Sequence, residues 1–287
     1  MLDKARETSN DTASSSTLNF ELGPRARITP GVSAPFTQPI DARTRYCAVF
    51  GHPIRHSASP AMQNAGLAML GLNWRYLAFE VRPEELREAI VGAKRMGFVG
   101  VNLTVPHKLL AFDHVDALDE SARQWHAVNT IRFEGREKGG AWLPLPEFPD
   151  APPEKIRTHG FNTDADAIAR AVREDLDVEL NGARVLLLGV GGAGQVAALK
   201  LAAESVAELF MINRTTSKAA SVAAEIRRRH PQVRVHLEYP RGEVDLAVNA
   251  TSLGLAADDP LPLEGKQTLK LNWQYIAVKK RLIIVVD

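Results

Sequence analysis

The chain is predicted to fold as two consecutive α/β units, and three observations predict it. Apolar, strand-like runs alternate with helical segments from Arg45 to about residue 130, the alternation resumes after Asp164, and a cluster of glycines follows the apolar run RVLLLGV and opens a helix. Strands that alternate with helices imply a parallel sheet covered by those helices. No internal repeat and no heptad seam competes with this reading.

In order, RYCAVFG is a strand and SASPAMQNAGLAMLGL a helix closed by Gly71. WRYLAFEV is a strand, PEELREAIVGAKRMG a helix opened by proline, and VGVNLTV a third strand. DESARQWHAV reads as helix and NTIRFEG as extended chain. The stretch 134–158, which contains GGAWLPLPEFPDAPPEK, is rich in Pro and Gly and is expected to be an inserted loop. The second unit begins with the helix NTDADAIARAVREDL, which bridges the two halves. RVLLLGV, ELFMINR and VDLAVNAT are its strands, with GGAGQVAALKLAAES and TTSKAASVAAEIRRRH as helices between them. These limits divide the chain into an extension over 1–40, a first domain over 41–166 and a second over 167–287.

Composition narrows the function. The 35 Lys and Arg nearly cancel the 34 Asp and Glu, for a net charge of +1, which gives no reason to expect nucleic acid as a partner. The single cysteine, Cys47, has no internal partner for a disulfide and reads as an inert strand thiol, consistent with the reducing cytoplasm. The N-terminus, MLDKARETSNDTASSSTLNF, carries charge and hydroxyls where a signal peptide would be apolar. No run approaches the roughly 18 apolar residues of a membrane span, so a membrane partner is not expected. Residues 1–40 are polar and Pro-rich and are predicted to be a disordered extension.

Three stretches carry chemistry. In VGVNLTVPHKLL a buried-looking strand runs directly into an amide, a hydroxyl and an ammonium. Period two places Asn102 and Thr104 on one face, and Pro106 turns the chain so that Lys108 opens the next element. That is the pattern of the lip of a small-molecule site. In LLLGVGGAGQVA, Gly189, Gly191, Gly192, Ala193 and Gly194 leave the backbone bare between a strand and a helix. A tight turn would use the same residues, but within a βαβ unit they suit a pyrophosphate at a helix N-terminus, in a Rossmann-like dinucleotide-binding domain.

The next strand ends in MINRTTSK, where an NAD site would place an acidic residue for the ribose 2′-hydroxyl. Asn213, Arg214, Thr215, Ser217 and Lys218 stand there instead, and cations with hydroxyls suit a 2′-phosphate, so the cofactor is predicted to be NADP. Taken singly, Ser57, Ser59, Asn129, Thr130, Asn162, Thr163 and Asp164 read as caps and turn residues. His52 and His56 read as structural or surface groups, with no spacing for a metal.

Together the motifs GHPIRHSASP, VNLTVPHK, AVNT, FNTD, GVGGAG, NRTTSK and VNATSLG, in this order over roughly residues 46–255, resemble the shikimate dehydrogenases. The resemblance implies two α/β domains around a cleft, with substrate on the first and NADP on the second. It implies NADPH-dependent, reversible reduction of 3-dehydroshikimate to shikimate, a step of chorismate and aromatic amino acid biosynthesis, in the cytoplasm, by a monomer or homodimer. Carried over by motif, Lys108 and Asp164 correspond to the catalytic pair. Ser57, Ser59, Thr104 and Asn129 correspond to the substrate-binding groups, and the glycine loop with Asn213, Arg214, Thr215 and Lys218 to the cofactor site.

After VNATSLGL the family continues with an Asp-x-x-Tyr-x-Pro segment and a helix bearing a substrate-binding glutamine. This chain reads KQTLKLNWQYIAVKKRLIIVVD instead, and Gln274 does not take that role. The expectation is an atypical or truncated family member. Two alternatives stand beside the main reading: a quinate/shikimate dehydrogenase, and a low-activity relative that retains NADP affinity. RLIIVV has strand character and, unpaired, would be an adhesive edge.

Overall fold

The computed structural model describes residues 39–149, 153–251 and 253, together with the backbone of Ile276–Val278 and Ile283–Val285. Residues 1–38 of the extension expected over 1–40, and the position of Gln274, lie outside the described residues.

The first sheet contains β1 (Arg45–Gly51), β2 (Trp74–Glu80), β3 (Gly100–Leu103), β4 (Ala117–Leu118), β5 (Thr130–Arg136), β6 (Trp142–Pro144) and β7 (Ile156–Phe161). Its order is β2-β1-β3-β5-β7-β4, with β6 alongside β5. One face is packed by α2 (Leu86–Arg95), which buries Leu86, Ile90 and Ala93 at helical spacing. Glu88 in its first turn and Lys94 and Arg95 in its last complement the helix dipole. That core joins Ala48, Phe50, Val101, Leu103, Ile131 and Phe133. On the other face α1 (Ser59–Met69) lies over Val49, Ile54 and Tyr76 through Leu67. Cys47 sits in β1, and burial pushes its thiol up to about 11, which keeps it protonated and inert.

Two expectations fail here. The sheet is not wholly parallel: β5 runs antiparallel to both β3 and β7. Between β5 and β7 there is no crossover helix, and neighbours joined without one must be antiparallel. The stretch 134–158 is not simply an inserted loop. β5 continues to Arg136, β6 pairs back on it, a 3-10 turn at Leu145–Glu147 buries Leu145, and β7 begins at Ile156. Pro and Gly confine this hairpin to a sheet margin without preventing pairing.

The second sheet has β8 (Arg184–Leu188), β9 (Glu208–Ile212), β10 (Arg234–His236), β12 (Leu246–Asn249) and β14 (Ile283–Val285) in the order β10-β9-β8-β12-β14, all parallel. In their own sequence order these are strands 3-2-1-4-5, as in a doubly wound dinucleotide fold. The described part of RLIIVV, β14, is paired on one side, where it aligns with Ala247–Asn249, and it forms one end of the sheet. A short side ribbon pairs β11 (Gly242–Val244) with β13 (Ile276–Val278).

The core of this half gathers β8, β9 and β12 with α6 (Gly192–Ala203) and α7 (Thr216–Arg229). α5 (Asp164–Glu174) turns Ala165, Ile168, Ala169 and Val172 into the same core, which also takes in Trp125 of α4 (Glu120–Trp125). Among the described residues no helix is long and apolar enough to cross a membrane.

Candidate active site

Strand direction decides what meets at one edge of the first sheet. β1, β3 and β7 share a direction and β5 opposes them. The turns that leave β1, β3 and β7 therefore emerge where β5 begins. Ser57 and Ser59, Thr104 to Lys108, Asn129 and Thr130, and Asn162 to Asp164 are delivered to that one edge.

The turn after β3 is tied at several points. Thr104 N–H donates to Phe50 O (3.0 Å), His52 N–H to Val105 O (2.9 Å) and His107 N–H to Thr104 O (2.8 Å). The Val105–Pro106 bond is cis. A short helical turn, α3 (His107–Leu110), follows. His107 is fully buried, and its Nε2 donates to Val81 O at 2.9 Å. Burial holds its pKa below the ordinary histidine value, so it stays neutral and serves as a brace for the turn.

Lys108 comes next and is itself buried, at 3% exposure. Its Nζ lies 3.3 Å from Asp164 Oδ2. A buried ammonium is tolerated only beside an opposite charge, and this carboxylate supplies it.

Asp164 is placed as firmly. Asn162 Oδ1 accepts from the backbone N–H groups of Asp164 (3.1 Å) and Ala165 (3.3 Å), which caps α5. The Asn162 amide donates to Ala127 O (3.2 Å), and its own N–H donates to Ser121 Oγ (3.1 Å). Asp164 Oδ1 accepts from Asn129 Nδ2 at 2.6 Å. Oδ2 is sealed from water and, among the described residues, has no hydrogen bond and faces the ammonium.

The Asn129 carboxamide is saturated. Its Nδ2 also donates to Thr163 Oγ1 (2.9 Å), and its Oδ1 accepts from Thr163 N–H (3.1 Å) and Thr130 Oγ1 (3.0 Å). A substrate hydroxyl at Asn129 must displace one of these bonds.

The other sequence candidates on this side stand at the same sheet edge. Ser57 Oγ accepts from Ser59 N–H at 3.3 Å, and both serines are half-buried at the start of α1. Thr104 is buried, and its methyl fills the space that a Cβ at Gly51 would need, 2.5 Å away. Asn102, which the sequence places on the cleft face, accepts from the Tyr76 hydroxyl at 2.8 Å and donates to Thr130 Oγ1 at 3.0 Å. Tyr76 carries no sequence signal as a site residue; it reads only as a strand aromatic.

Across from this edge stands the glycine loop. Gly189 has φ +88°, and a Cβ there would lie 2.5 Å from Ala250 O, so glycine is required twice over. A Cβ at Gly194 would meet Gly189 O at 2.2 Å, so Gly194 lets the helix pack against the loop. Gly191 is exposed with open space beside it, and Ala193 is buried.

At Gly192 the two halves meet. A Cβ there would sit 3.2 Å from Lys108 Cβ, so the candidate cofactor loop and the candidate catalytic lysine are immediate neighbours. Bare backbone at the N-terminus of the 12-residue α6, with open space at Gly191, fits a dinucleotide phosphate.

At the end of β9 the sequence candidates separate. Asn213 uses its side chain on the protein: Oδ1 accepts from Val190 N–H (2.9 Å) and Nδ2 donates to Thr215 O (2.8 Å). It braces the glycine loop against the start of α7. Arg214, Thr215 and Lys218 are exposed at that start.

Comparison with known proteins agrees with this geometry. The family model described as Shikimate dehydrogenase substrate binding domain matches residues 49–131, and Shikimate / quinate 5-dehydrogenase matches residues 170–253. A shikimate dehydrogenase (NADP(+)) of Methanopyrus kandleri is 36% identical over 230 residues, 78% of this chain and 72% of the relative. The crystal structure of shikimate dehydrogenase from Aquifex aeolicus has a TM-score of 0.61 at 32% identity, covering 78% of this chain and 75% of that one. Shikimate 5-dehydrogenase from Thermus thermophilus, in complex with NADP(H) and shikimate, has a TM-score of 0.56 at 33% identity, covering 73% and 69%. Two halves matched by the family's two models, in the expected order and on the expected fold, lead to one conclusion: the chain belongs to the shikimate dehydrogenase family.

Proposed function

We propose that this protein is a shikimate dehydrogenase that reversibly reduces 3-dehydroshikimate to shikimate with NADPH, using Lys108 and Asp164 as its catalytic pair. The observation that carries the assignment is the buried ammonium–carboxylate pair, 3.3 Å apart, against a glycine of the phosphate loop. In this reading residues 41–166 hold the substrate and 167–287 the cofactor.

Bound NADPH would supply the hydride for the carbonyl carbon. Negative charge then grows on the carbonyl oxygen and needs a cation and a proton. Lys108 provides both: its ammonium stabilises the oxygen and donates a proton to it. Asp164 Oδ1 is held by Asn129, which leaves Oδ2 to orient the ammonium. In the oxidation direction the lysine amine takes the hydroxyl proton back. Ser57, Ser59 and Thr104 bind the carboxylate and remaining hydroxyls at the same sheet edge.

The backbone of Gly189, Gly191, Gly192, Ala193 and Gly194 holds the pyrophosphate, with Asn213 bracing the loop. Arg214, Thr215 and Lys218 receive the 2′-phosphate, where exposed cations at a helix N-terminus need an anion to offset the dipole. A lone cysteine, Cys47, supports the cytoplasm as the site of the reaction.

The test is turnover by the purified protein with shikimate and NADP⁺, followed through NADPH absorbance, beside quinate and NAD⁺. The proposal expects shikimate with NADP⁺ to be the preferred pair. Binding of NADPH with no turnover of either acid would contradict it and leave a cofactor-binding relative.

A further inference from the structure

We propose that Tyr76 is a positioning residue for the Lys108–Asp164 pair, acting through a directed string of hydrogen bonds that crosses the first sheet. The inference rests on the catalytic reading of that pair and extends it to a strand that no motif marks.

The string starts on β2, the edge strand. Tyr76 is 5% exposed and its ring packs among Val49 and Ile54. Its hydroxyl reaches past β1 and donates to Asn102 Oδ1 on β3 at 2.8 Å. Asn102 Nδ2 donates to Thr130 Oγ1 on β5 (3.0 Å), the residue opposite it in the β3–β5 register. Thr130 Oγ1 donates to Asn129 Oδ1 (3.0 Å), and Asn129 Nδ2 donates to Asp164 Oδ1 (2.6 Å). Asp164 Oδ2 then faces the Lys108 ammonium at 3.3 Å.

Every bond in the string has one allowed polarity. Asn129 Oδ1 is fixed as an acceptor by the backbone N–H of Thr163 (3.1 Å), so its nitrogen must face the carboxylate. Thr130 must therefore give its proton to Asn129 and accept from Asn102. Asn102 Nδ2 also points at the Asn129 carbonyl oxygen (3.5 Å), so its Oδ1 faces away and needs a donor. Tyr76 is that donor. Burial, with a smaller contribution from Cys47, raises its pKa far above the ordinary tyrosine value, so it remains a donor at every assay pH.

Without the phenol, the part-buried Asn102 oxygen loses its partner and the amide gains a reason to rotate. Rotation would set two acceptors against each other at Asn129 O and free Thr130 to turn. The string orients groups and carries no proton, since two of its members are amides.

The experiment combines kinetics with side-chain NMR on the full chain. Tyr76→Phe is expected to lower kcat about 5- to 20-fold, inside the ~100-fold that a misplacement of 1 Å can cost, with KM for NADPH unchanged. Thr130→Val cuts the string further along. Adding Tyr76→Phe to it should then lower kcat less than twofold more, because both changes break one unit. In ¹H–¹⁵N spectra the side-chain amide of Asn129 should shift in Tyr76→Phe.

Losses in kcat that multiply in the double variant would assign Tyr76 to general stability and overturn the proposal. An Asn129 amide signal unmoved by Tyr76→Phe would overturn it equally. If the wild-type protein turns over no shikimate, the reading of the reaction fails, and the Asn129 signal still decides whether the string exists.

Discussion

The Lys108–Asp164 pair and the Arg214–Lys218 stretch both set cations around the proposed cleft, and they are built in opposite ways. Lys108 is buried at 3% exposure, faces one carboxylate, and sits on a turn tied to Phe50 of β1, to Val81 just after β2 and to Val128 just before β5. Arg214 and Lys218 are exposed at the start of α7. Chemistry at a carbonyl needs an ammonium held in place before the substrate arrives, because charge stabilisation is effective only without reorganisation. Recognition of a 2′-phosphate needs only a cation within reach. The difference predicts that changes at the first region act on kcat and changes at the second on cofactor choice.

The largest effect should come from Lys108. Lys108→Met, which keeps the buried volume, should lower kcat at least ~100-fold, the lower end for losing an acid–base group. Steady-state assays and fluorescence titration would check that NADPH affinity is unchanged. An equal loss in NADPH affinity would erase the distinction between the regions.

The glycine loop offers a sharper division within the cofactor side. Gly189→Ala forces a side chain to φ +88° and into Ala250 O, so it should abolish measurable NADPH binding. Gly191→Ala puts a methyl into the open space assigned to the phosphate without straining the backbone, so it should weaken NADPH binding less than Gly189→Ala does.

Arg214→Asp should weaken NADPH binding about tenfold, the value of one charge-assisted hydrogen bond, and should spare or improve NADH, since a carboxylate accepts from a 2′-hydroxyl. Titrations with both cofactors would show it. Unchanged selectivity would move the 2′-phosphate elsewhere.

The smallest effect at neutral pH concerns a control outside both regions. Glu134 is 1% exposed and binds Arg132, Arg157 and His159. Burial works to raise its carboxyl, and the bonds from Arg132, His159 and Arg157 outweigh it, so its pKa lies below the ordinary glutamate value. A depressed carboxylate contributes stability that is complete above its unfolded pKa near ~4.3 and is lost as pH falls through the folded value. Melting temperature should therefore drop on acidification below about pH 4.3, and Glu134→Gln should flatten that drop.

How much of this was legible in the sequence depends on how local the cause is. The glycine loop was legible, since positive φ and close backbone approach leave only glycine at Gly189 and Gly194. α2 was legible from its spaced apolar residues and charged ends. Lys108 and Asp164 were legible only as parts of motifs, because their meeting depends on the directions of β3, β5 and β7. The antiparallel course of β5 was missed, although Arg132 and Glu134 alternating with Ile131 and Phe133 is the pattern of a strand with one polar face.

The hairpin over 134–158 was hidden because Pro and Gly read as loop while its pairing partners lie in other strands. The sequence marks Asn213 as a cofactor-site candidate, but its bracing of the glycine loop was not legible, because the bond to Val190 joins the ends of two strands. Tyr76 reaches Asn102 past an intervening strand, and nothing in WRYLAFEV distinguishes it from a core aromatic.

The most direct test of the central claim, that Lys108 and Asp164 act as one unit, is a double-mutant cycle on kcat for shikimate oxidation with Lys108→Met and Asp164→Asn. The double variant should be no slower than Lys108→Met alone, as for residues that share one catalytic function, with NADPH affinity preserved in all three. Losses that multiply would contradict it, and would mean that the two groups serve separate steps despite lying 3.3 Å apart.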